Sequence, residues 1–184
     1  MARTAQNSTH LPIEQYVNAV ELQGGLYTNY PVVINNSLTV DGAIKNAQAN
    51  VSSLTSATTL TVADSGTTYL LDSASGVTVT LPTAQAGLVY KFIVQTSVTS
   101  NSYKITAGSS NGFLIGGITE ATAGGAADVF TGDGATDISV TMNGTTTGGL
   151  LGTVITIACV TTGLWEVGGV NIASGTIATP FATT

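Results

Sequence analysis

The chain reads as an all-β protein: an antiparallel β-sandwich or barrel of jelly-roll-like build, with an extended N-terminal arm. Three observations predict this. Hydrophobic residues recur with period two from residue 51 onward, the periodicity of strands that bury one face. Turn-forming groups interrupt these stretches at short intervals, among them Asp64-Ser65-Gly66, Ser75-Gly76, Gly132-Asp133-Gly134, Asn143-Gly144 and Thr162-Gly163, residues suited to tight reversals. Finally, 43% of the 184 residues are hydrophobic and only 8% are charged. That is enough apolar material for a core, and the opposite of the composition that keeps chains disordered.

A composition shift near residue 50 divides the chain into an arm, 1–50, and a body, 51–184. Most of the Asn and Gln, the single His, Pro12 and Pro31 precede the shift, while Pro82 and Pro180 follow it. Within the arm, PIEQYVNAVEL (12–22) places Ile13, Tyr16, Val17 and Val20 at helical spacing, with Pro12 suited to a first turn and Gly24-Gly25 to a stop. The same stretch also alternates as Tyr16, Asn18, Val20, which fits a strand. YPVVINNSLTVDG (30–42) reads as two short strands around Asn35-Asn36-Ser37. Neither piece buries much surface alone, so the arm is expected to order against the body, a neighbouring copy or another protein. Its apolar and aromatic residues Leu11, Ile13, Tyr16, Val17, Tyr27 and Tyr30 are the candidate partner contacts.

In the body, Val77, Val79 and Leu81 oppose Thr78 and Thr80, and Leu88, Tyr90, Phe92 and Val94 oppose Val89, Lys91, Ile93 and Gln95. Further strands are expected at 103–106, 112–118, 129–131, 138–142, 153–160 and 164–167. Threonine suits the outer faces, because its β-branched side chain packs on a pleated surface while the hydroxyl stays hydrated. So few Lys and Glu leave the sheet edges poorly protected against pairing, which predicts that edges and part of the faces are covered in a homo-oligomer or larger assembly.

Charge and motif exclude several functions. Four basic residues (Arg3, Lys45, Lys91, Lys104) against ten acidic ones give a net charge of −6, too little clustered positive charge for a phosphate-binding surface, so no nucleic-acid partner is expected. MARTAQNSTH lacks the apolar core of a signal peptide, and the longest apolar run, LLGTVITIACV (150–160), is too short and Thr-rich to span a bilayer. The expectation is a soluble protein made in the cytoplasm, with no membrane partner. The single cysteine, Cys159, excludes an internal disulfide framework and alternates with Ile155 and Ile157 as a small buried hydrophobe.

Catalytic candidates are sparse. His10 is alone, without a nucleophile or a second ligand to work with. Asp128, Asp133 and Asp137 cluster in sequence around FTGDGATD, and a hard cation would accept such oxygens. Their spacing is not that of an EF-hand, however, and Asp beside Gly is ordinary turn chemistry. No phosphate loop, dinucleotide fingerprint or nucleophile elbow occurs, and nothing marks the paired carboxylates of a glycan-cleaving enzyme. The chain is therefore expected to be no enzyme and to need no cofactor or metal. Trp165 in TGLWEVGG alternates with Val167 and reads as a core anchor in preference to a partner-facing side chain.

The stretch TTLTVADSGTTYLLDSASGVTVTLPTAQAGLVYKFIV (58–94), followed by SNSYKITAG (100–108) and closed by GLWEVGGV (163–170), resembles a β-rich module recurring in structural proteins of tailed bacteriophages, including cyanophages. The resemblance covers much of 58–170 and leaves the arm unexplained. It implies a head decoration, or cement, protein: homotrimers on the outer surface of the virion's capsid that bind the major capsid protein and bridge neighbouring subunits. A tail-fibre, tail-spike or baseplate component, acting in attachment or host-receptor binding, is the alternative.

Overall fold

The structure is a computed structural model that describes residues 50–108, 112–122 and 124–184. The arm and its six candidate contacts, Leu11, Ile13, Tyr16, Val17, Tyr27 and Tyr30, lie outside the described residues, as does His10.

The described residues form twelve strands and one 3₁₀ turn (Val62–Asp64). The strands are β1 (Val51–Leu54), β2 (Thr58–Thr59), β3 (Thr68–Asp72), β4 (Thr78–Thr80), β5 (Val89–Thr96) and β6 (Tyr103–Thr106), then β7 (Phe113–Thr122), β8 (Ala127–Asp133), β9 (Ser139–Met142), β10 (Val154–Thr161), β11 (Leu164–Ala173) and β12 (Phe181–Ala182). They build a seven-stranded sheet, ordered β1-β3-β5-β10-β11-β7-β8, and a five-stranded sheet, ordered β12-β9-β6-β4-β2. The all-β sandwich expected from the alternation is what forms.

The expectation of purely antiparallel pairing is corrected. Of the ten strand pairings, five are antiparallel and five are parallel, so the topology departs from an antiparallel jelly roll. Four of the five parallel pairs come from the first six strands, which alternate between the sheets: β1, β3 and β5 enter the large one, β2, β4 and β6 the small one; the fifth joins β7 to β11. The chain winds around the core and adds one strand to each sheet per circuit. Successive strands of a sheet therefore run the same way, with a strand of the opposite sheet as the crossover that parallel pairing requires. The turn signals here are corners between sheets. Gly76 makes one of them at φ 73°, where its N–H bonds Ser73 O at 3.0 Å. Side-chain-bearing residues pay a steric penalty in that region.

From β7 onward true hairpins appear. β7 and β8 reverse through Gly125, whose N–H meets Thr122 O at 3.0 Å, and β10 turns into β11 through Gly163 at φ 80°. The core lies between the sheets. Alternate residues of β5 (Tyr90, Phe92, Val94), β10 (Ile155, Ile157, Cys159) and β11 (Trp165, Val167) face Val79, Leu81, Tyr103, Ile105, Val140 and Met142 from the small sheet, and all are buried. Trp165 is thus a core residue, tilted against Tyr90 with ring centroids 6.2 Å apart. Tyr103 ties the sheets together from within: its hydroxyl accepts from Ser73 N–H (2.7 Å) and donates to Thr96 O (2.8 Å).

Candidate functional site

Two features of the body carry the chemistry and surface character that bear on function: a buried carboxyl cluster at one end of the core, and the outer face of the seven-stranded sheet.

The cluster follows from strand register. Leu114, Ile118 and Glu120 occupy inward positions of β7, and Asn171 sits on β11 directly beside Glu120. Both polar residues have 0% exposure. Asn171 Nδ2 donates to Glu120 Oε1 at 2.6 Å and to Thr147 O at 2.9 Å, while its Oδ1 accepts from Gly149 N–H (2.9 Å) and Thr153 Oγ1 (3.1 Å). Ile172 N–H closes the network on Thr153 Oγ1 at 2.9 Å. The other Glu120 oxygen, Oε2, is buried with no hydrogen-bond partner. Removal from water disfavours the carboxylate, and although the Asn171 bond partly opposes this, the pKa is pushed up to about 7. The arrangement clips the 143–153 segment to the large sheet. Asn143 shapes the segment's start, its Oδ1 accepting from the N–H groups of Thr145, Thr146 and Thr147. At Gly148 (φ +71°) a Cβ would fall 1.9 Å from Asn171 Oδ1, so the backbone approaches the amide too closely for any side chain. Sequence reasoning missed this cluster, because the strand expected at 112–118 stops short of Glu120, whereas β7 continues to Thr122.

Of the three aspartates of the FTGDGATD region, Asp133 and Asp137 share one loop, in which Asp133 N–H donates to Asp137 Oδ2 at 3.1 Å, and Asp128 lies apart from them. Asp128 lies opposite Glu120 near the start of β8, while Asp133 ends that strand. The Asp133 carboxylate is occupied by its own loop, accepting from the N–H groups of Ala135, Thr136 and Asp137 and from the Thr136 hydroxyl. These donors hold its pKa well below the usual carboxylate range. No group of three or more His, Cys, Asp or Glu stands close enough to hold a metal ion among the described residues. Cys159 is buried, its thiol pKa raised by desolvation, the opposite of what activates a thiolate.

On the outer face of the large sheet, the register aligns Leu70, Ile93, Val154, Val170, Thr119 and Val129 in one row across six strands. Val170 and Val129 are exposed by 49% and 59%, so this row presents apolar surface to its surroundings. On the three central strands, β5, β10 and β11, the outward-facing charges are Lys91 and Glu166.

No protein-family model matches the chain, and neither the curated proteins nor the solved structures contain a match to it.

Proposed function

We propose that this protein is a structural component of a tailed-bacteriophage virion, a homo-oligomeric decoration protein that binds the outer shell of the capsid and stabilises contacts between capsid subunits. The observation that carries the reading is the surface of the body: a sandwich whose broad sheet turns an apolar, sparsely charged row outward, a face suited to burial within a homo-oligomeric assembly, which leaves the capsid contacts to the arm. The phage-module resemblance of residues 58–170 supplies the setting. The role is mechanical. Each docked copy contributes binding free energy only to the assembled shell, so mass action opposes disassembly, and repetition on a lattice adds avidity. The arm, through Leu11, Ile13, Tyr16, Val17, Tyr27 and Tyr30, provides contacts to the neighbouring capsid protein.

Cosedimentation with capsids stripped of this protein, run beside intact host cells, tests the reading. Saturable binding to shells and none to cells is expected. Binding to cells but not shells would move the assignment to a tail attachment component. A chain lacking residues 1–50 is expected to lose most capsid occupancy, and unchanged occupancy would remove the arm from the interface.

A further inference from the structure

We infer that a second copy of this chain covers the outer face of the seven-stranded sheet, packing face to face about a two-fold axis. The inference does not rest on the capsid reading.

β10 is the middle strand of the seven. Its outward residues at the centre are Thr156 and Ala158, and Thr156 stands beside Gly168 of β11, itself beside Gly117 of β7. This small-residue floor lets another sheet come close. The apolar row through Ile93, Val154 and Val170 runs along one side of the floor, only two residues away on each strand. The two charges of the central strands flank β10 on opposite sides: Lys91 is registered with Thr156, and Glu166 with Ala158. They are of opposite sign, and their midpoint falls over β10.

This placement suits self-association in particular. A two-fold axis lying in the interface, at right angles to the line from Lys91 to Glu166, sets Lys91 of each copy over Glu166 of the other and makes the two apolar rows cross close to Val170. An isologous interface must be self-complementary in this way. The ion pairs fix register and orientation, and the apolar contact supplies the driving force. The assembly unit is then a dimer, whereas the phage resemblance implies a trimer.

Light scattering on the full chain, with three variants, tests the inference. The wild type is expected to have the mass of a dimer. Lys91→Glu and Glu166→Lys each place like charges opposite one another and are expected to weaken the dimer by at least about tenfold in Kd. The combined K91E/E166K protein restores opposite signs and is expected to recover the dimer. Circular dichroism on each variant checks that the fold is intact, and recovery in the double variant excludes misfolding as the cause of single-variant loss. A monomeric or trimeric wild type overturns the inference. A monomer would leave residues 1–49 or a different protein as the occupant of the face. A dimer that both single variants leave undisturbed overturns it equally.

Discussion

At the scale of single residues, Glu120 gives the body a pH-dependent contribution to stability. Its carboxyl rises from an ordinary 4.5 to about 7 because burial penalises the charge. With the folded value above the unfolded one, the folded state holds the proton more tightly. The stability associated with this group is therefore complete below about pH 4.5 and is lost as the pH rises to about 7. A shift of this size corresponds to a loss on the order of 3 kcal/mol. Thermal unfolding followed from pH 4.5 to 8 is expected to show a melting temperature falling through that window, and Glu120→Gln, which cannot ionise, should flatten the fall. A wild-type profile already flat there would show that Glu120 is not desolvated as described. The depressed Asp133 carboxyl acts in the opposite sense and in a more acid range, since stability from a lowered pKa is lost as pH falls below the ordinary 3.8. It does not mask the Glu120 effect.

The neighbouring amide matters as much. Asn171→Ala removes the acceptor of Gly149 N–H and the donor to Glu120 in one step, leaving buried groups unpaired. The expected cost is roughly 3 kcal/mol or more by urea titration at neutral pH, since each buried unsatisfied group costs about 1–3 kcal/mol. A cost below about 1 kcal/mol would mean that water or a backbone shift replaces the amide.

At the scale of elements, three corners in the parallel winding of β1 to β6 hold a glycine at positive φ: Gly66, Gly76 and Gly87. A Cβ at Gly76 would lie 2.2 Å from Ser102 O, and the residue also has φ +73°, whereas Gly66, at φ +86°, has no atom within 4 Å of a built Cβ. The two glycines separate conformational strain from steric conflict. Gly66→Ala is expected to cost only the left-handed penalty, about 1–2 kcal/mol. Gly76→Ala adds a backbone collision and is expected to cost clearly more, measured as the difference between their denaturant midpoints. Equal costs would show that the Ser102 backbone, just before β6, yields without loss.

The strand content of the body was largely legible in the sequence because burial on one face imposes period two on the residues themselves. Tyr90, Phe92 and Val94 announce β5, and Ile155, Ile157 and Cys159 announce β10. The short edge strands β1, β2 and β12 carried little such signal: Val51–Leu54 reads VSSL, with a single buried residue at its end. Nor did the local pattern distinguish a hairpin from a corner. Ser75-Gly76 and Thr162-Gly163 look alike, yet the first sends the chain across to the other sheet and the second folds it back on its neighbour. That choice belongs to the pairing partners, which lie far away in sequence.

At the scale of the whole molecule, the buried hydrophobic cluster among the described residues runs from Leu54 to Phe181. Residues 50–184 produced alone are expected to fold and unfold in one cooperative transition, as compact single domains do. Calorimetry is the check, and a broad or absent transition would show that the first 49 residues complete the core.

The sequence by itself determined the all-β class, the inward residues of the long strands, the burial of Cys159 and the poverty of recognisable catalytic motifs, because these depend on residue type and local period. Only the tertiary structure decided that half the pairings are parallel, which donors the Asp133 carboxylate accepts from, and that Glu120 is an interior acid. Each of these depends on which strand becomes a residue's neighbour, and that is set by long-range packing around a shared core.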